Sequence, residues 1–188
     1  MSSQINSFLA AQATPGATPS PFKGPVDVLN YALTLEHLEA TFYRDGLSKF
    51  ANQDYLNAGL QTSVRDYITQ IGTDETAHVD TLTKVIGSLG GTPVKEATYN
   101  FGYTNLTGFL KVAAALENTG VAAYTGAAQY LISNDQLLTA ALTIHGVEAR
   151  HAAYLNVVTG TSPFPAAFDA PKTPAEVLKI AGPFIVSG

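Results

Sequence analysis

The stretch GTDETAHVD, residues 72–80, decides the fold because it sets Glu75 and His78 three positions apart inside an apolar repeat. The stretch HGVEARHAA, residues 145–153, repeats the same spacing. Residues three apart lie on one face of a helix, so a glutamate and a histidine at this spacing can close on one ion. A buried carboxylate is costly unless a cation or hydrogen bonds compensate its charge. The two stretches therefore predict buried helices that each carry a pair of metal ligands.

Apolar residues at alternating spacings of three and four indicate the buried faces of four long helices. These helices are predicted over about 26–50, 62–89, 107–132 and 135–158. Six polar residues stand inside the four apolar stripes: Glu36, Glu75, His78, Glu117, Glu148 and His151. A lone glutamate on each of two helices, with Glu-x-x-His on each of the other two, is the ligand pattern of di-iron and di-manganese bundles. Together these residues favour a dinuclear metal site over the alternative, a metal-free polar network.

The connections predict an all-α, four-helix bundle with one long crossover. Short connections join the first helix to the second and the third to the fourth, so each pair forms an antiparallel hairpin. A helix of about 27 residues is about 40 Å long, and about 15 extended residues reach about 50 Å. The linker over 90–106 can therefore run the length of the bundle and make the third helix parallel to the second. Tyr99, Phe101 and Tyr103 alternate along this linker, which predicts that one of its faces packs on the bundle.

Three parts are predicted along the chain: a flexible lead-in over 1–25, the bundle over 26–160, and a tail over 161–188. In the tail, Thr173 and Glu176 form a capping box that starts a short helix, predicted to pack on the bundle. The lead-in lacks the basic start and long apolar core of a signal peptide. Localisation stays open between the cytoplasm and export with the signal removed.

Composition excludes several classes of function. The net charge of −5, with only ten lysines and arginines, argues against nucleic-acid binding. No apolar run approaches the roughly 20 residues of a membrane span. The chain has no cysteine, which excludes disulfides, thiolate metal sites and thiol catalysis.

The two halves of the chain repeat weakly. Glu36 is followed seven residues later by Tyr43, and Glu117 is followed seven residues later by Tyr124. Each of these helices precedes a Glu-x-x-His helix. The repeat aligns Glu36 with Glu117 and leaves Glu39 opposite a glycine, so Glu36 is the predicted ligand of the first helix and Glu39 a flanking group.

The ligand segments resemble the ferritin-like superfamily. Four motifs look like those of bacterioferritin and rubrerythrin, in the same order: EHLEATFY (36–43), DETAH (74–78), ENTGVAAY (117–124) and EARH (148–151). The stretches VLNYALTLEHLEATFY and LGGTPV are more similar still to the small ferritin-like domain proteins of bacteria and fungi. The resemblance covers about residues 26–160.

The resemblance implies two divalent metal ions per chain, iron or manganese, held by three pairs of ligands: outer Glu36 and Glu117, bridging Glu75 and Glu148, and terminal His78 and His151. It implies Tyr43 and Tyr124 as hydrogen-bond donors behind the ligands or as redox-active neighbours. Two core aromatics with satisfied hydroxyls are the equal alternative for this pair.

This sequence also departs from the family. In bacterioferritins an aspartate often precedes the Glu-x-x-His glutamate and orients the opposite histidine. Asp74 fits this role toward His151, but the matching position on the fourth helix is Val147. The other histidine, His78, is therefore expected to lack a carboxylate partner. His145 lies one turn before the second pair, as an extra ligand or proton carrier or as a flanking histidine.

The implied function is a dimetal protein that reacts with dioxygen or hydrogen peroxide. Three alternatives stay open: a peroxidase, catalase or oxidase, a ferroxidase or storage module, and a non-enzymatic protein of stress or desiccation. A redox enzyme would need an external electron donor, because no rubredoxin-type cysteine pairs are present. A homodimer is one possible assembly.

Overall fold

The computed structural model describes residues 20–187, so residues 1–19 of the predicted lead-in lie outside the described residues. Six α-helices occur in this part of the chain: α1 (Pro25–Lys49), α2 (Asn52–Asn57), α3 (Thr62–Ser88), α4 (Leu106–Ala127), α5 (Asp135–Val158) and α6 (Pro174–Ala181). Two 3-10 turns follow α4 and α6, at Ala128–Tyr130 and Gly182–Phe184. Two short strands, β1 (Thr98–Tyr99) and β2 (Ile185–Ser187), pair antiparallel.

Helices α1, α3, α4 and α5 form the four-helix bundle, which confirms the predicted all-α fold. Near the end of α1, the Phe50 carbonyl accepts a hydrogen bond from Arg65 at the start of α3, whereas Gly91, just past α3, lies against Val26 at the start of α1. Helices α1 and α3 are therefore antiparallel. Further along α1, Gly46 lies against Phe109 near the start of α4, which makes α4 antiparallel to α1 as well. Helices α3 and α4 are thus parallel, as the long crossover predicts.

Side-chain caps define where several helices begin. Asn105 and Asn134 each accept a hydrogen bond from a backbone N–H in the first turn of α4 and α5. Thr173 and Glu176 form the reciprocal capping box predicted for α6. Helix α4 ends five residues before the predicted 132, because the chain tightens there into the 3-10 turn that leads to α5.

Two apolar clusters divide the bundle core lengthwise. The first surrounds Phe42 and Phe109, whose rings stack with centroids 4.8 Å apart. The second, toward the start of α1 and the end of α3, contains Leu29, Leu33 and Ile86. Burial of each large aliphatic or aromatic side chain contributes about 1.5–3 kcal/mol to folding. The polar residues described below lie between these two clusters.

The last part of the crossover and the C-terminal tail pack together on the first apolar cluster. Phe101 is buried, and Tyr99 and Tyr103 are half-buried beside the first apolar cluster, as the alternation predicts. Phe184 packs on Phe101 with ring centroids 5.8 Å apart, and its carbonyl accepts a hydrogen bond from the Asn100 N–H.

The sequence reading missed α2 and the β1–β2 pair. Helix α2 has only six residues and is held by the burial of Tyr55, whose side chain is fully enclosed. A pair of strands of two and three residues exists only because the tail returns to the crossover. Within residues 20–187, none of the helices combines the length and the apolar character that a bilayer span requires.

Candidate metal centre

The six polar residues of the apolar stripes meet in one layer halfway along the bundle. All four glutamates are fully buried, and both histidines are 8% exposed. Helix α1 supplies Glu36, α4 supplies Glu117, and the two Glu-x-x-His helices, α3 and α5, supply the rest. Each segment places its polar residue where its apolar stripe faces the other helices, so burial follows from the helical period itself.

The layer contains two overlapping groups of potential metal ligands. One consists of Glu36, Glu75, His78 and Glu148, and the other of Glu75, Glu117, Glu148 and His151. Within each group the ligand atoms all lie within 4.8 Å of one another. Glu75 and Glu148 belong to both groups, so their carboxylates stand where bridging ligands of a dinuclear site would stand.

Both histidines present Nδ1 to the carboxylates. His78 Nδ1 lies 3.2 Å from Glu36 Oε2, 3.1 Å from Glu75 Oε2 and 3.1 Å from Glu148 Oε1. His151 Nδ1 lies 2.9 Å from Glu75 Oε1 and 3.3 Å from the outer glutamate of its own group. One ring nitrogen carries at most one proton and donates to one oxygen well. A single N–H therefore cannot satisfy all of the two or three oxygens gathered around each nitrogen.

Several buried atoms of this layer form no hydrogen bond of good geometry, although some lie within 3.3 Å of a histidine nitrogen. Among the described residues they are Glu75 Oε1, Glu117 Oε2, both carboxylate oxygens of Glu148, and His151 Nδ1. Donors at right angles on an ion with bonds of about 2.1 Å lie about 3 Å apart, which matches the spacing of 2.9–3.3 Å seen here. Imidazole and carboxylate donors suit iron and manganese, among other divalent metals. The residues therefore fit a pair of metal ions.

Electrostatics in the metal-free layer are unfavourable for four carboxylate charges. Burial and the neighbouring Glu148 raise the pKa of Glu75 to about 8. Burial, followed by the charge of Glu117, raises the pKa of Glu148 well above its ordinary range. Burial by itself lowers the pKa of His78, but contacts with its three carboxylates raise it to about 12. Without a cation, the layer thus retains protons that two divalent ions would replace.

Two tyrosines support the outer glutamates in a crossed arrangement. Tyr43 of α1 donates to Glu117 Oε1 of α4, and Tyr124 of α4 donates to Glu36 Oε1 of α1, both at 2.5 Å. Both rings are buried, at 0% and 8% exposure. Each half of the repeat therefore orients the outer glutamate of the other half. Both hydroxyls therefore have carboxylate partners in the ligand layer.

One histidine has an orienting aspartate and the other does not. Asp74 Oδ2 lies 3.2 Å from His151 Nε2, as expected from the sequence. Gln70, one turn earlier, donates to the other oxygen of Asp74 at 2.8 Å. The role of Gln70 as a partner of Asp74 was not predicted from the sequence, although the i,i+4 spacing of the two residues could have suggested it. Among the described residues, the carboxylate contacts of His78 all involve Nδ1.

Glu39 and His145 lie outside both ligand groups. Glu39 is 3% exposed, and burial together with the charge of Glu148 raises its pKa well above the ordinary range. Gly120 leaves room between these carboxylates, since a Cβ there would lie 3.1 Å from Glu148 Oε2 and 3.4 Å from Glu39 Oε1. His145 Nε2 instead contacts the Thr125 hydroxyl at 2.9 Å.

Comparisons with known proteins agree on the fold. A family model for the ferritin-like domain matches residues 24–161. Protein rds1 of Schizosaccharomyces pombe is 26% identical over 160 residues, which are 84% of this chain but 38% of that protein. The chain therefore spans well under half the length of this curated relative.

Two solved structures are similar in fold. One is described as ferritin-like, diiron-carboxylate proteins from Bacillus anthracis, with a TM-score of 0.61, 18% identity, and coverage of 71% of this chain and 94% of that one. The other is a conserved hypothetical protein from Mycobacterium tuberculosis, with a TM-score of 0.55, 22% identity, and coverage of 75% and 94%.

Proposed function

This chain belongs to the ferritin-like domain family, and we propose that it is a carboxylate-bridged dinuclear iron or manganese protein that reacts with dioxygen or hydrogen peroxide. The observation that carries the proposal is the pair of overlapping ligand groups, which share Glu75 and Glu148. The Bacillus anthracis structure, described as diiron-carboxylate, supports iron as the metal.

The ligand assignment follows from the two groups. Glu36 and His78 would hold one ion, Glu117 and His151 would hold the other, and the two shared glutamates would span both. Two bound ions that change oxidation state would supply the electrons for reduction of dioxygen or peroxide. Four glutamates balance the charge of two divalent ions, which explains why a chain with only 13% charged residues buries so many carboxylates together.

The surrounding residues would prepare the site for this chemistry. The hydroxyls of Tyr43 and Tyr124 hold Glu117 and Glu36 in place and keep a proton beside each outer ligand. Asp74 fixes the ring orientation of His151, so that Nδ1 faces the metal pair. The apolar clusters on both sides of the layer exclude bulk water, which strengthens electrostatic interactions inside it.

Two alternatives use the same site differently. A ferroxidase or storage module would assemble into a shell and convert iron in bulk, whereas a non-enzymatic stress protein would retain the bundle and make little use of the metals. The buried ligand atoms that lack hydrogen bonds favour a metal-using protein over the second alternative. Particle size in solution separates a shell from a monomer or dimer.

The test is a reaction of metal-loaded protein. Protein loaded anaerobically with Fe(II) or Mn(II) is mixed with dioxygen or with hydrogen peroxide, and oxidation is followed by absorbance over repeated additions. We expect the wild-type chain to oxidise its metal much faster than Glu148→Ala, which removes a ligand common to both ions. Equal rates in the two proteins would contradict the proposal, and bound metal without any reaction would favour a structural protein.

A further inference from the structure

A cavity of about 80 Å³ lies within the second apolar cluster. All four bundle helices contribute to its wall. Alanines occupy several wall positions where larger aliphatic side chains would fill the space, among them Ala32 of α1, Ala127 of α4 and Ala141 of α5. The void therefore results from a run of small residues around one point of the core.

The cavity lies one helical turn from the ligand layer. Ala32 precedes Glu36 by four residues, and Ile144 precedes Glu148 by four. Residues four apart lie on the same helix face, about 6 Å along the axis at 1.5 Å per residue. Tyr124 connects the two regions, because its ring lines the cavity while its hydroxyl donates to Glu36.

The chemistry of the wall selects apolar molecules. Aliphatic side chains and alanines make up most of it, and the Tyr124 hydroxyl is already committed to Glu36. An apolar cavity of about 150 Å³ stays dry and binds benzene or xenon, so a space of about 80 Å³ suits a smaller molecule. Hydrogen peroxide would lose its hydrogen bonds to water in this cavity, at a cost of several kcal/mol. Dioxygen would lose none.

Part of the cavity wall reaches the protein surface. Three of its lining residues, Thr81 of α3 and Ala140 and Thr143 of α5, are exposed at the surface. The Thr143 hydroxyl donates to the Ala140 carbonyl, which leaves it no proton for a guest molecule. The cavity is therefore closest to solvent between α3 and α5, which is the side where a small molecule would enter.

We propose that this cavity is a binding chamber for dioxygen, which it concentrates one turn from the metal pair on the side of Glu36. The chamber's role in catalysis rests on the proposed function, but its ability to bind dioxygen does not. Of the two co-substrates proposed for the metal site, dioxygen is then favoured over hydrogen peroxide, because an apolar chamber admits dioxygen and disfavours hydrogen peroxide.

The test uses dissolved dioxygen as a paramagnetic probe of the metal-free protein. Methyl relaxation is measured by NMR under dioxygen and under nitrogen at equal pressure. We expect the enhancement at the Leu82, Ala141 and Ile144 methyls, which line the chamber, to exceed several-fold that at Leu38 and Leu155. The last two are almost fully buried away from the chamber and report nonspecific penetration. Equal enhancement in the two sets would overturn the proposal.

A pair of variants on α5 supplies the matched control. Ala141→Leu fills the chamber, whereas Ala153→Leu adds the same side chain at another half-buried position three turns away, outside the lining. The enhancement at Leu82 should fall to the level of Leu38 in the first variant and remain unchanged in the second. Undiminished enhancement at Leu82 in Ala141→Leu would place the dioxygen elsewhere and overturn the proposal.

The second part of the test replaces dioxygen with hydrogen peroxide. The chain is suited to this reagent because it has no cysteine and only one methionine that could be oxidised. We expect hydrogen peroxide to leave the chemical shifts of the chamber methyls unchanged. Shifts confined to those methyls would overturn the selectivity for dioxygen. This result is independent of the proposed function. If the chamber binds dioxygen but the protein binds no metal, only the dimetal assignment is contradicted.

Discussion

At the residue scale, the outer glutamates depend on hydrogen bonds that cross between the halves of the repeat. Tyr43 supports Glu117 and Tyr124 supports Glu36. The spacing of seven residues between glutamate and tyrosine is visible in the sequence. The crossed pairing cannot be seen in the sequence, because it depends on how α1 and α4 face each other in the bundle rather than on spacing within either helix.

The crossed pairs predict a similar cost for two variants. Tyr43→Phe and Tyr124→Phe each leave a buried glutamate oxygen without its donor, so each should lower the unfolding free energy of metal-free protein by about 1–3 kcal/mol. The matched control is Tyr55→Phe, because the buried Tyr55 hydroxyl has no hydrogen bond within residues 20–187 and its loss should be neutral or stabilising. Urea unfolding measures the unfolding free energy of all three variants. A loss in Tyr55→Phe as large as in the other two would contradict the account.

At the element scale, the sequence predicted the four long helices and the capped helix α6, but not α2 or the strand pair. Polar caps and apolar periods are local, so α3 and α5 begin and end at or within one residue of their predicted bounds. Helix α2 and the strand pair depend instead on contacts with distant segments, since Tyr55 is buried by the bundle and β1 meets β2 across 86 residues of chain, from Tyr99 to Ile185. No local pattern encodes such contacts.

Glycines within the helices have different consequences for helix packing. A Cβ at Gly46 would come 2.0 Å from the Phe109 ring, so α1 and α4 approach closely only because this position is glycine. A Cβ at Gly146 would meet only Arg150 Nη1, at 3.9 Å. Gly46 therefore has a packing role, whereas Gly146 weakens its helix without a steric reason.

The two glycines predict opposite changes in stability. Gly46→Ala should destabilise the protein by about 1–3 kcal/mol, because the buried Phe109 must shift. Gly146→Ala should stabilise it by about 0.5–1 kcal/mol, through the better helix propensity of alanine. Urea unfolding of the two variants measures the change in unfolding free energy of each. A change of the same sign in both would contradict the packing role of Gly46.

At the scale of the whole molecule, the bundle is two similar hairpins that enclose one polar layer. The sequence predicted the fold and the residues of that layer, because six polar residues in apolar stripes are unusual and their spacings match across the halves. The chamber beside the layer was not predictable, since a void depends on the sizes of side chains from four helices at one point.

The protonated layer predicts that metal-free protein loses stability as pH rises. The pKa of Glu75 is raised to about 8 in the fold, and that of His151 is raised to about 11 by its carboxylate neighbours against the effect of burial. Between an ordinary carboxylate pKa and pH 8, folded Glu75 holds a proton that the unfolded chain releases, so the unfolding free energy falls with rising pH. The raised histidine pKa acts in the same direction from about pH 6.5 upward.

Thermal unfolding of metal-free protein at pH 5, 7 and 9 measures this effect. We expect the midpoint to fall across the series. In metal-loaded protein, stabilisation by the metal should instead grow with pH, because the ions need deprotonated ligands. A midpoint of the metal-free protein that rises from pH 5 to 9 would show that the layer does not hold its protons.

The most direct test of the dimetal assignment is metal stoichiometry by elemental analysis, on protein purified without chelator and then loaded anaerobically with Fe(II) or Mn(II). We expect two ions per chain in the wild type, loss of most metal from both positions in Glu148→Ala, and two ions retained in Glu39→Ala, since Glu39 lies outside both ligand groups. No metal under any loading, or full occupancy in Glu148→Ala, would contradict the account and leave the buried residues as a metal-free polar network.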